Sequence, residues 1–117
     1  LEVIEMTVEF VQEGNAIDYT PSSDMSAGDV VVQGELVGVA KRDCKADELG
    51  ALAVTGLFDF PKATGGGTAI TAGANVYWDV GDQEAKEDSE TGANKLVGKT
   101  VLDAADADET VRVRMSQ

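Results

Sequence analysis

The chain has 117 residues, with 9 basic and 22 acidic side chains, a formal net charge of −13 and no histidine. That balance argues against direct nucleic-acid binding, which needs a basic surface. The length suits one domain with a real hydrophobic core, and the lone cysteine, Cys44, excludes an internal disulfide framework and a cysteine–histidine metal site.

Residues 2–11 alternate, with Ile4, Met6, Val8 and Phe10 on one face and Glu5, Thr7 and Glu9 on the other. A period of two predicts a half-buried strand, or an extended arm that pairs with a neighbouring subunit. Glu13-Gly14-Asn15 marks a turn, and Ala16–Thr20 reads as a short strand with Ile17 and Tyr19 on one side. Ala27-Gly28-Asp29 is a tight reversal that leads into the β-branched run Val30–Val32. Gly34-Glu35 then separates that run from Leu36–Ala40, so a hairpin is expected.

Gly50 to Phe60 is the longest apolar stretch and reads as one strand, with a bulge or close backbone approach at Gly56 and a stop at Pro61. Lys62–Thr68 contains Gly65, Gly66 and Gly67 and predicts a flexible loop. No Gly-x-x-x-x-Gly-Lys-Ser/Thr phosphate loop occurs there or elsewhere. Val76–Asp79 is a strand that carries Trp78, an anchor for a core or an interface. Residues 79–94 form an acidic insert, read as a solvated loop. The last strand alternates, with Val111, Val113 and Met115 inward and Arg112 and Arg114 outward.

Parts of the chain echo one another. Thr71–Trp78 repeats the small-residue turn and apolar strand of Ser26–Val32, Leu96-Val97-Gly98 repeats Leu36-Val37-Gly38, and Ala107-Asp108-Glu109 repeats Ala46-Asp47-Glu48. The reading is two copies of one unit, the second enlarged by the acidic insert. The expected fold class is mainly β: a small single-domain barrel or sandwich of about eight short strands, built from hairpins, with little helix. Residues 1–9 are set apart as an N-terminal strand or arm, and 10–117 as the β domain with its acidic loop 79–94.

Candidate chemistry is sparse. The commonest general base is missing, and Ser22, Ser23, Ser26, Ser89 and Ser116 lie in loops or at the end, outside any Gly-x-Ser-x-Gly elbow. Asp79-x-x-Asp82 and Asp103-x-x-Asp106-x-Asp108 offer hard carboxylate oxygens, but neither has EF-hand spacing. Cys44 sits among Lys41, Arg42 and Lys45, the only basic cluster, with no base to activate it. No apolar run approaches the roughly 18 residues of a membrane span. No secretory signal pattern opens the chain, so synthesis in a cytoplasm is expected. Catalytic, cofactor and metal sites are all read as none; the work is binding or structure.

Several words of the sequence, in order, carry a resemblance: Phe10–Pro21, Ala27–Val31, Leu36–Ala40, Glu48–Lys62, Val76–Asp79 and Val111–Arg114. Together they resemble a phage and prophage family, long catalogued as a domain of unknown function, that is similar to the capsid decoration, or cement, proteins of tailed phages. Its members often carry a RecA/RadA recombinase label, which this chain, without a phosphate loop or a basic surface, does not support. The resemblance implies a non-enzymatic virion protein on the capsid exterior, made in the bacterial host cytoplasm. Its implied partners are the major capsid protein and further copies of itself, a trimer being favoured, with no nucleic acid and no membrane. The expected capsid or subunit contacts are Ile4, Met6, Val8 and Phe10 of the N-terminal segment, Lys62, Gly65, Gly66 and Gly67 of the glycine loop, and Trp78. The rival readings are a tail or baseplate component and a small non-catalytic β-barrel subunit of an enzyme complex.

Overall fold

A computed structural model describes residues 7–117, which form nine strands in two antiparallel sheets. The first sheet holds β1 (Ala16–Tyr19), β2 (Val30–Gln33), β3 (Leu36–Val39) and β4 (Gly50–Ala53) in the order β1-β4-β3-β2. The second holds β5 (Gly56–Pro61), β6 (Asn75–Asp79), β7 (Glu84–Lys86), β8 (Lys95–Thr100) and β9 (Thr110–Met115) in the order β5-β9-β8-β6-β7. The sheets stay separate, so the architecture is sandwich-like and not a closed barrel.

The two sheets share one plan. The order β1-β4-β3-β2 recurs as β5-β9-β8-β6, with β7 added at the edge by the acidic insert. The loops repeat as well: an isolated bridge joins Met25 to Cys44 in the first unit and Ile70 to Ala104 in the second. Gly28 N–H donates to Ala40 O over 2.7 Å, and Gly73 N–H donates to Thr100 O over 2.8 Å. Asp43 Oδ1 accepts from Ala27 N–H, and Asp103 Oδ1 accepts from Ala72 N–H, both at 2.8 Å. Gly28 and Gly73 have φ of 95° and 85°, a left-handed conformation that glycine adopts without a Cβ penalty.

The main core collects Phe60, Val76, Trp78, Val97, Val111, Val113 and Met115 from the second unit with Val37 and Val39 from the first. Trp78 lies against Phe60 with ring centroids 5.9 Å apart. A smaller core of Met25, Ala40 and Leu52, flanked by Ile17, Tyr19 and Val31, sits on the other side of the first sheet. At the junction the Gln117 side chain joins the β3 backbone, its Oε1 accepting from Val37 N–H and its Nε2 donating to Val37 O. Gly98 is required by packing, since a Cβ there would lie 2.0 Å from Arg114 O.

Three expectations are corrected. Gly50–Phe60 is not one strand: the chain leaves the first sheet at Ala53 and enters the second at Gly56, whose φ of 123° permits the change of direction. The expected strand over residues 2–11 falls partly outside the described residues. Within them, Thr7–Val11 belongs to neither sheet, because alternation makes a strand only where a neighbour takes up its backbone groups. The acidic insert is not simply a solvated loop, since it builds β7 and a 3-10 turn at Glu90–Gly92. Asp79 is buried there and accepts at 2.8 Å from Lys86 Nζ, which also pairs with Asp82.

Candidate interaction surface

Those of the expected contact residues that are described are not brought together. Ile4 and Met6 lie outside the described residues. Val8 and Phe10 are each 78% exposed and Val11 is 86% exposed, so three apolar side chains ahead of β1 are largely bare. Contiguous exposed apolar surface is a feature of interaction sites. The segment is anchored where it meets β1: Asn15 O accepts from Val54 N–H over 3.0 Å, and Asn15 Oδ1 accepts from Thr55 Oγ1–H over 3.1 Å.

Lys62 and Trp78 are not on the surface. Trp78 is 2% exposed, because β6 turns it into the main core. Its indole N–H is, among the described residues, the one buried side-chain polar atom without a partner. Lys62 is buried with its ammonium donating to Ala63 O (2.7 Å), Asp108 O (3.1 Å) and Thr68 Oγ1 (3.4 Å). A buried ammonium is tolerated when carbonyls replace its water, and here it ties the glycine loop to the turn before β9. Gly65, Gly66 and Gly67 remain at an exposed tip. The loop behind them is held by Asp106, whose O accepts from Gly65 N–H and whose Oδ1 accepts from Thr68 and Ala69 N–H. The expected flexible glycine loop is thus hydrogen-bonded at its base and open at its tip.

The carboxylates weighed for cation binding already have partners. Lys86 takes Asp79 and Asp82, while Asp103, Asp106 and Asp108 each accept from backbone N–H groups. The Lys86 ammonium and the Asp82 amide hold the Asp79 carboxyl below the usual carboxylate range, and Asp79 and Asp82 raise Lys86 in turn. No cluster of metal-binding side chains occurs among the described residues. On the outer face of the second sheet, Arg112 forks onto Asp59 with contacts of 2.9 and 3.1 Å, which lowers Asp59.

A groove of about 910 Å³ lies on the first unit. Its small side chains are Ala16 of β1 and Ala51 and Ala53 of β4, and its rim is the turn that carries Lys41, Arg42 and Lys45. All three cations are exposed and form no ion pair among the described residues. Leu49, 73% exposed, stands on the same rim. The Cys44 side chain is folded over Gly50, where an added Cβ would lie 2.7 Å from the sulfur, so the turn uses it for packing. Asp24, Asp43 and Glu48 line the same groove, so its charged side chains are mixed in sign.

The family model for phage cement proteins matches residues 11–115, all but the ends of the chain. The chain belongs to the phage cement protein family. This is a family of structural, capsid-associated proteins, and membership points to a structural role on the phage capsid. No curated protein and no solved structure gives a match. No helix among the described residues is long and apolar enough to cross a membrane.

Proposed function

We propose that this cement-family chain is a head decoration protein that binds the outer surface of the expanded phage shell and stabilises it. Its partner is the major capsid protein, and it acts as a homo-oligomer, a trimer being the arrangement that matches three-fold positions of a shell. The observation that carries this reading is the family match over nearly the whole chain, on a fold whose chemistry-bearing side chains are spent on structure.

The physical basis is linkage. A protein that binds the assembled shell and not its loose subunits stabilises the shell, by about 2.7 kcal/mol per site at a hundred times its Kd. Weak contacts repeated over a lattice add through effective concentration. The segment ahead of β1, with Val8, Phe10 and Val11 bare, is the bridging element of this reading. The open tip at Gly65–Gly67 is the second candidate contact.

The test is co-sedimentation with expanded and unexpanded empty shells of the cognate phage. Binding to the expanded shell alone, with a raised shell melting temperature, is expected; binding to neither overturns the proposal. Deleting Leu1–Glu9 should abolish shell binding and leave the melting of the β domain unchanged.

A further inference from the structure

A strand at the edge of a sheet offers a row of unpaired N–H and C=O groups, and proteins usually blunt it with charge, proline or shortness. The edges of the two sheets are β1, β2, β5 and β7. β1 carries the exposed Asp18, β5 carries Asp59 and ends in Pro61, and β7 is 3 residues long with Glu84 and Lys86. β2 has none of these devices: it reads Val30-Val31-Val32-Gln33 and pairs with β3 in unbroken register. Asp29 O accepts from Ala40 N–H over 2.8 Å. Bonding alternates along an antiparallel ladder, so the N–H and C=O groups of Val30 and Val32 point away from β3. Val37, opposite Val32, agrees: its own N–H and C=O turn away from β2 and are taken by Gln117. The outward groups of Val30 and Val32 have no partner among the described residues. Beside the start of β2 lies a concavity of about 310 Å³ that Tyr19, Pro21, Met25 and Gln83 line together with Val30 and Val31, so edge and concavity are one surface. Its charged lining is of one sign, Asp24 and Asp29. Each carboxylate gives one oxygen to a backbone N–H, that of Ala46 or Ser26, and its other oxygen has no partner among the described residues.

We infer that the free edge of β2 is a docking site for an extended segment of another protein, apolar at alternate positions and flanked by lysine or arginine. The segment adds to β2 as a further strand and bonds to the backbone of Val30 and Val32. One of its side chains, on the face that Val31 shares with the small core, enters the concavity, and its cations meet Asp24 and Asp29. The free stretches of a second copy do not fit. β2 is flanked by Asp29 and Glu35, the stretch ahead of β1 carries Glu5, Glu9 and Glu13, and neither has a lysine or arginine. The segment belongs to the major capsid protein, an assignment that rests on the decoration reading; the edge itself is tested without shells, so the two fail separately.

The experiment is an NMR titration of the full chain with two end-capped peptides, Lys-Val-Thr-Val-Lys and Glu-Val-Thr-Val-Glu. The basic peptide should shift the amides of Val30 and Val32 and bind about tenfold more tightly than the acidic one, since two exposed charge pairs turn from attraction to repulsion. Val32→Pro should abolish the response, because it removes an outward N–H and spares the bonds to β3; its thermal melt reports any loss of fold. The second arm is amide hydrogen exchange of the full chain bound to expanded shells, where Val30 and Val32 should slow. No shift at β2 with millimolar basic peptide overturns the inference. So does a response of equal size to both peptides, or one equally strong at β1 and β5. Shell binding with unchanged exchange at Val30 and Val32 overturns the assignment to a capsid segment and leaves the decoration reading standing. Peptide binding at β2 by a chain that binds no shell upholds the docking edge and overturns the decoration reading alone.

Discussion

The two units share strand order and turn chemistry but use their sheets differently. The first sheet packs apolar side chains on both faces: Val31 and Leu52 look toward the small core with Met25 and Ala40, while Val30, Val32, Val37 and Val39 look toward the second unit. The second sheet is buried on one face only, with Val111, Val113 and Met115 inside and Arg112 and Arg114 outside. The difference is written in the strands. A continuous run such as Val30-Val31-Val32 fits a two-sided environment, and Val111-Arg112-Val113-Arg114-Met115 fits a one-sided one. Equal topology therefore does not give equal surfaces. The position of Lys41-Arg42 in the first unit is taken by Val101-Leu102 in the second, so the same turn presents cations in one unit and apolar side chains in the other.

The sharpest way to break this comparison is through the two cores. Trp78→Ala removes the largest side chain of the main core, which both units share, and should cost about 3–5 kcal/mol in chemical denaturation, with the whole chain unfolding earlier. Trp78→Phe should cost much less, because it also removes the unpartnered indole N–H. Leu52→Ala should cost about 2–4 kcal/mol. Its signature is local: hydrogen exchange should quicken in β1–β4 more than in β8 and β9. Uniform acceleration across both sheets would mean that the small core has no separate existence.

The paired glycines come next. A methyl at Gly98 meets the Arg114 backbone, whereas one at Gly38 meets the Leu52 side chain, 2.8 Å from its Cβ and 3.0 Å from its Cδ1, and only the latter can turn away. Gly98→Ala should cost roughly 3 kcal/mol and Gly38→Ala roughly 1–2 kcal/mol. Leu52→Ala should relieve part of the second cost and none of the first, which a double-mutant cycle measures.

Smaller effects come from the Asp79–Lys86 and Asp59–Arg112 ion pairs of the second unit. Asp79 and Asp59 have lowered folded-state values, so the unfolded chain binds more protons in acid. Their contribution is complete above the ordinary carboxylate range and is lost as pH falls through the lowered values. The melting-temperature gap between wild type and Asp79→Asn should therefore be full at pH 6 and close as pH drops below about 4. Asp59→Asn should give the smallest gap of the series, because both partners of that pair are about half exposed and water screens them. An equal gap at pH 6 and pH 2 would remove the ion-pair explanation.

Much of the fold could be read from single stretches. The hairpin of β2 and β3, the alternation of β9, the stop at Pro61 and the recurrence of one unit all appear in the structure where the pattern places them. The break between β4 and β5 could not be read, because Val54 and Thr55 suit a strand and only the handover between sheets interrupts it. Trp78 and Lys62 look like contact residues in isolation. Their burial depends on partners far along the chain, Phe60 for the ring and Asp108 for the ammonium.

By itself, the sequence determined the β class, the two-unit repeat, the absence of a histidine-based catalytic site and the family words, because these depend on local periodicity, turn chemistry and composition. Only the tertiary structure decided which carboxylates are spent on backbone amides and Lys86, which apolar residues stay bare, and which side chains line the groove of the first unit. Those properties arise from juxtaposition: Ala16 and Lys41 line one groove only after β1 has paired with β4 and the turn after β3 has closed over it.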